Sequence, residues 1–323
     1  MKTTALLACA LTVAAAIASP AHAEAGYPSR PVTLVIPFPP GGATDVVGRL
    51  VGKTLGEKLG QPVVIDNRAG AGTIIGATYV AKAAPDGYTL LISSGTTFTV
   101  NPAIQPRLPY DAQKSFEPIG LVARTGLILL ANKDVPASTP KEYVDLVRAA
   151  PDKYSYGSFG TGTTAQFTGE LMLRATGTKM VHVPYKGSAP AMTDLMGGQI
   201  PFSVDTVAAA IPQLKNGKVK AIAVSTAKRS ALLPNVPTFA ESGFDLDADT
   251  WIAVVAPHGL PPAVKSRLEK ALQETVASPE VREKLLGAGL EPTYQNGAAT
   301  AALIEKELPL MRATALRANI RPE

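Results

Sequence analysis

Short apolar runs rich in strand formers alternate with longer stretches that repeat their apolar residues every three or four positions, and no other feature of the chain constrains its fold as much. Residues 32–38 are such a run. They lead into residues 45–59, where Val47, Leu50, Val51, Leu55 and Leu59 form one helical stripe, closed by Gly60. Residues 63–65, 72–84 and 88–93 predict the next strand, helix and strand, the last introduced by the turn Pro85-Asp86-Gly87. This β-α-β-α-β order implies a parallel sheet covered by helices on its faces. The order returns as strands at 127–131, 154–158, 180–184, 200–204 and 219–225, with helices at 140–149, 164–175, 189–196 and 208–215 between them. An irregular stretch at 232–237, one more strand at 251–256, and helices at 262–278, 279–286 and 298–315 complete the chain.

Two α/β units are therefore expected. The helical tail should pack back on the first, so that residues 24–124 and 228–323 form one lobe and 125–227 the other. Each lobe is read as a mainly parallel sheet flanked by helices. Small ligands bind at the carboxyl ends of such strands and in clefts between domains.

The N-terminus reads differently. Lys2 precedes an apolar run over 5–17, and Ala21-His22-Ala23 is an A-x-A cleavage site. That is the pattern of a secretory signal peptide over 1–23, and the run is too short for a membrane span. A mature chain starting near Glu24 would be exported to the periplasm and would lack cysteine, since Cys9 is the only one. Disulfides, thiolate metal sites and cysteine nucleophiles are then unavailable to it. The formal net charge of +5 is spread along the chain. This favours a small anionic partner and leaves no footprint for nucleic acid.

Polar loops stand at several predicted strand ends. In Phe38-Pro39-Pro40-Gly41-Gly42-Ala43-Thr44-Asp45 the prolines stiffen the chain, and the glycines let a ligand approach backbone N–H groups. Thr44 is a plausible cap, and the following helix start is suited to a carboxylate or phosphate. Gly157-Ser158-Phe159-Gly160-Thr161-Gly162-Thr163-Thr164 is a second such turn, with Thr163 or Thr164 as cap. Ser93, Ser94, Thr96 and Thr97 follow one strand, and Asp205 and Thr206 end another. Together these loops fit a clamshell around a small anion, with Phe38, Phe159 and Phe167 able to flank a ring or simply to pack.

The chain resembles the solute receptors of tripartite tricarboxylate transporters, the Bug family of periplasmic binding proteins. The matching stretches are residues 27–45, 63–91, 156–170, 183–202 and 218–244, in order over nearly the whole chain after residue 23. The resemblance implies a two-lobed, type II-like periplasmic-binding-protein fold, closing on a dicarboxylate, tricarboxylate, acidic amino acid or aromatic acid. It implies that the loops matching 38–45 and 158–166 grip one carboxylate, partly through ordered waters. It also implies a small and a large membrane permease subunit as partners. Gln166 stands where many members carry His, and Ser188 where many carry Gly or Ala. The expected ligand-binding residues are Phe38, Pro39, Gly41, Gly42, Asp45, Ser94, Thr96, Thr97, Ser158, Gly160, Thr163, Thr164, Gln166, Asp205 and Thr206. No cofactor and no metal are expected, and a monomer is.

Enzyme signatures are weak. His182 and His258 show no metal-binding spacing. Gly70 to Gly76 reads G-x-G-x-x-x-G, one residue too long for a dinucleotide fingerprint, and suits a glycine-lined helix start better. Ser158 is not in a nucleophile elbow. An exported enzyme acting on a small acid is the alternative, with Asp45 or Asp205 as its base. Lys186 either counters a second ligand carboxylate or is solvated.

Overall fold

A computed structural model describes residues 26–151, 153–318 and 320. The signal-peptide reading of 1–23 lies outside the described residues. Among them, no helix is long and apolar enough to cross a membrane.

The first unit opens with β1 (Val32–Ile36), α1 (Ala43–Leu59), β2 (Val63–Asn67), α2 (Ile74–Ala81) and β3 (Thr89–Ser94). β1 lies parallel between β2 and β3, as the alternation predicts. α1 ends where Gly60 takes a left-handed conformation and its N–H bonds the Gly56 carbonyl. A wide helical turn, Thr96–Val100, and the short α3 (Asn101–Ile104) follow.

The next strand, β4 (Phe116–Asn132), is the spine of the molecule. Its first part, through Gly126, pairs with β9 (Asp249–Pro257) and with β10 (Glu291–Asn296). Its second part, from Leu127, pairs with β7 (Phe202–Thr206) and β8 (Val219–Val224). All of these pairings are antiparallel, as is β3 with β9. The sheet is therefore mixed rather than mainly parallel. One long strand serves both halves, and its neighbours must run against it.

After β4 the chain builds α4 (Pro140–Ala149), β5 (Ser155–Ser158), α5 (Thr164–Thr176), β6 (Val181–Pro184), α6 (Ser188–Met196) and, after β7, α7 (Val207–Lys215). β5 lies parallel to β6 and β7. After β9 come α8 (Pro262–Ala277), α9 (Pro279–Gly287) and, following β10, α10 (Gly297–Ala318).

Separate cores fill the two halves. Leu34, Val47, Leu55, Leu90, Ile252 and Leu268 belong to a cluster under α1 and α8. Leu129, Tyr143, Tyr156, Phe202 and Phe239 belong to one in the other half. α8 and α9 pack on the first half, against α1. The chain crosses between the halves in β4 and again before β9. Ser225 ties these crossings together: its Oγ accepts the Leu127 N–H at 3.1 Å and bonds the Ala248 carbonyl at 2.6 Å.

Candidate functional site

A pocket lies where the two halves meet, at the strand ends. Its walls are Phe38, Pro39, Gly42, Ala43 and Thr44 from the turn after β1, Ser94 from the end of β3, and Phe159 and Thr164 from the turn into α5. Gly187, Ser188 and Thr206 join from the second half, and Thr250 and Ile252 from β9. It holds about 430 Å³ of empty space, counting the solvent at its mouth. Phe38 and Phe159 meet edge to face, their centroids 6.3 Å apart.

The turn after β1 is built for close approach. Gly41 has a φ of 96°, a conformation that favours glycine, whereas Gly42 is extended at −87°. A Cβ on Gly42 would lie 3.7 Å from Ser188 Oγ, inside the pocket, and one on Gly187 would lie 3.1 Å from Pro39 Cγ. The two halves are therefore in contact across this turn. Gly42, not Thr44, is the N-cap residue of α1, because the helix begins at Ala43. Thr44 lies in the first turn and lines the pocket.

No charged side chain lines the pocket. Positive potential comes instead from backbone. The N-termini of α1, α5, α6 and α7 all reach it, through Gly42 to Thr44, Thr164, Gly187 and Ser188, and Thr206. No side chain caps α1, α5 or α6, while the Thr206 hydroxyl accepts the Ala209 N–H at 3.2 Å. Thr163 holds the cap position of α5 but donates its hydroxyl to the Gly160 carbonyl at 2.6 Å. Thr250 Oγ1, in the pocket wall, is buried without a hydrogen-bond partner. Converging N–H groups and helix dipoles suit a small anion even where no cationic side chain lines the wall.

Of the expected ligand-binding residues, Phe38, Pro39, Gly42, Ser94, Thr164 and Thr206 line the pocket. The others lie outside its wall. Asp45 Oδ2 accepts the Gly41 N–H and Arg49 Nε, both at 3.0 Å, and Oδ1 accepts Asn67 Nδ2 at 2.9 Å. Burial works to raise its pKa, but the bonds from Arg49, Asn67 and Gly41 outweigh that and hold the carboxyl below its usual range. Asp45 thus fastens the glycine turn.

Thr97 Oγ1 is bonded to Ser93 Oγ at 2.6 Å and Thr73 Oγ1 at 2.8 Å. Thr96 Oγ1 accepts the Thr164 N–H at 3.0 Å. Ser158 Oγ meets His182 Nε2 at 2.7 Å and is fully buried. Gln166 Oε1 accepts the Gly162 N–H at 2.7 Å, closing its own turn. Gly160, at a φ of 140°, supplies the bend.

Asp205 is fully buried. Its Oδ1 accepts the Thr206 N–H at 2.7 Å and the Ser188 hydroxyl at 3.0 Å, while Oδ2 has no partner. Burial pushes its pKa up to about 6, against these bonds, which favour the ionised form. Lys186 is exposed and outside the pocket wall, and the glycines at 70–76 serve packing: a Cβ on Gly72 would lie 2.7 Å from the Thr161 carbonyl.

The expected set omitted Ala43, Thr44, Phe159, Gly187, Ser188, Thr250 and Ile252. Most adjoin residues that were included. Thr250 gave no signal, since a threonine opening a strand is commonplace.

This is the architecture of an α/β periplasmic-binding-protein fold, with a pocket between two halves of a mixed sheet. The chain belongs to the tripartite tricarboxylate transporter receptor family, whose family model matches residues 47–317. Protein BugT of Bordetella pertussis is 36% identical over 296 residues, 91% of this chain and 90% of BugT. The solved structure of R. palustris Rpa4515 with adipate superposes with a TM-score of 0.89 at 34% identity, covering 92% of this chain and all of that one. MatC from Rhodopseudomonas palustris with bound malate gives 0.85 at 32% identity, covering 89% of this chain and 99% of its own. The family is one of receptors, and the solved structure of the periplasmic binding protein BugD superposes with a TM-score of 0.88 at 36% identity, covering 92% of this chain and all of that one.

Proposed function

We propose that this chain is a periplasmic receptor that captures a small carboxylate in the pocket between its halves and delivers it to the membrane permease subunits of a tripartite tricarboxylate transporter. The two lobes would close on the ligand about the crossings tied by Ser225, with the second lobe extending to Ala248, since Phe239 and Leu246, expected in the first lobe, pack in the core of the second half. Residues 1–23 would direct export as a signal peptide, and the receptor would act as a monomer without cofactor or turnover.

The observation that carries this reading is the convergence of the N-termini of α1, α5, α6 and α7 on a pocket whose wall has no charged side chain. Backbone N–H groups would take one carboxylate, and Phe38 and Phe159 would flank the carbon skeleton. The adipate and malate held by two structural relatives support a dicarboxylate most directly. Tricarboxylates, acidic amino acids and aromatic acids remain within the proposed class.

The test is a thermal-shift screen of the protein against mono-, di- and tricarboxylates, acidic amino acids and aromatic acids, followed by calorimetry. A bound acid raises the melting temperature by mass action. A panel with no shift, from protein that mass spectrometry after denaturation shows to be ligand-free, would overturn the reading.

A further inference from the structure

Asp205 lies directly behind the pocket, linked to it through Ser188 and Thr206, which are both in its wall. It is a fully buried carboxyl with one oxygen bonded and the other, Oδ2, bare. The elements packed on β7 are β4, β5, α5, α6 and α7. Their acidic and basic side chains are engaged elsewhere or pair with nothing near it. Arg124 bonds Asp249, Glu117 bonds Lys265, Glu170 accepts the Tyr156 hydroxyl, and Asp194 accepts that of Tyr185. Among the described residues Arg174 and Lys215 form no ion pair with it, and its polar partners are Thr206 and Ser188 alone.

Given the anion-receptor reading, on which this inference depends, an acid entering the pocket brings a second negative charge close to a buried carboxylate that has no counter-cation. Two like charges in a shared low-dielectric site cannot both remain ionised cheaply. We propose that the receptor binds its carboxylate together with one proton, taken from solvent and held on Asp205 Oδ2. Oδ1 already accepts several hydrogen bonds, so the bare oxygen is the one left to carry it. The neutral carboxyl removes the repulsion, and an unpaired O–H is less costly to bury than an unpaired anionic oxygen. The raised pKa of Asp205 agrees, because burial already biases the group toward its protonated form.

Titration calorimetry with malate, adipate and aspartate as probes, in buffers of differing ionisation heat between about pH 6 and 8, counts the protons exchanged. The wild type should take up a fraction rising toward one proton per bound acid, and its affinity should fall with rising pH by up to about tenfold per unit. Asp205→Asn should bind with no proton uptake and a flat affinity profile. Ser188→Ala removes a bond that favours the ionised carboxyl, so its profile should shift to higher pH; this serves even if the asparagine variant does not fold.

Binding without proton uptake at any of these pH values would overturn the coupling and leave the receptor intact. Equal uptake by wild type and Asp205→Asn would overturn the assignment to Asp205. No heat with any probe, together with no melting shift across the full panel of acids from ligand-free protein, would overturn the receptor reading as well as the coupling.

Discussion

The hydroxyl of Thr96, after β3, accepts the backbone N–H of Thr164, the first residue of α5, at 3.0 Å across the join between the two halves. Both residues are buried, and they are 68 positions apart in the chain. The bond satisfies one helix-start donor from protein and leaves the rest of that N-terminus to the pocket.

Thr96→Val keeps the shape of the side chain and deletes the acceptor. The buried Thr164 N–H is then unpaired, which costs about 1–3 kcal/mol. Urea unfolding should show this loss with little change in the slope. A stability equal to wild type would mean that water replaces Thr96 and that the bond does not hold the halves together.

Gly41 and Gly42 are adjacent but should respond oppositely. Gly41 has a positive φ, so Gly41→Ala strains the turn and should cost roughly 1–2 kcal/mol per residue so forced. Gly42 has ordinary extended angles, and its added side chain would point at Ser188 Oγ. Gly42→Val should therefore melt near the wild-type temperature while losing the heat of binding in calorimetry. Intact binding by that variant would show that the turn is structural only.

The pH dependence of stability should carry the mark of Asp205. Its folded pKa is raised to about 6 from an ordinary 3.8, so the native state binds more protons than the unfolded one between these values. Stability is then lost as pH rises through this window, by an amount on the order of 3 kcal/mol. Asp205→Asn should remove that decline and be the more stable protein at neutral pH. Superimposable profiles of the two proteins from pH 4 to 7 would sink the argument, the bounds being about the two pKa values.

Much of this fold could be read from the alternation of apolar patterns, because strands and helices of the α/β units carry their own periodicity. Two strands could not. The first part of β4 contains Pro118 and Gly120, which read as breakers; the sheet absorbs them at register shifts between 118 and 120 and between 121 and 123. β10 is polar and half-exposed and pairs only at one side of β4. At the site, the glycine- and hydroxyl-rich turns were legible and their division of labour was not. The family resemblance put Asp45 among the expected ligand contacts, as the last residue of the loop 38–45. What makes it a fastener is Asn67, brought from β2 by the parallel pairing of β1 with β2. Its Arg49 partner, one helical turn on, was the one sign of this in the sequence.

The single tryptophan of the chain offers a last check, placed between the pocket and the C-terminal helix. Thr250 and Ile252 line the pocket, and Trp251 between them points to the other face of β9, where it stacks on Phe98 at 5.8 Å. Its Nε1 donates to Glu307 Oε2 of α10 at 2.8 Å. Burial raises the pKa of Glu307, although the bond from Trp251 opposes this. As pH falls, Glu307 should therefore take its proton above the usual carboxylate range, and the indole should lose a charged acceptor at that point. Tryptophan emission in the wild type should show an inflection there, and Glu307→Gln should show none. The same inflection in both proteins would mean that the indole reports another group, and that the contact between β9 and α10 does not depend on the charge of Glu307.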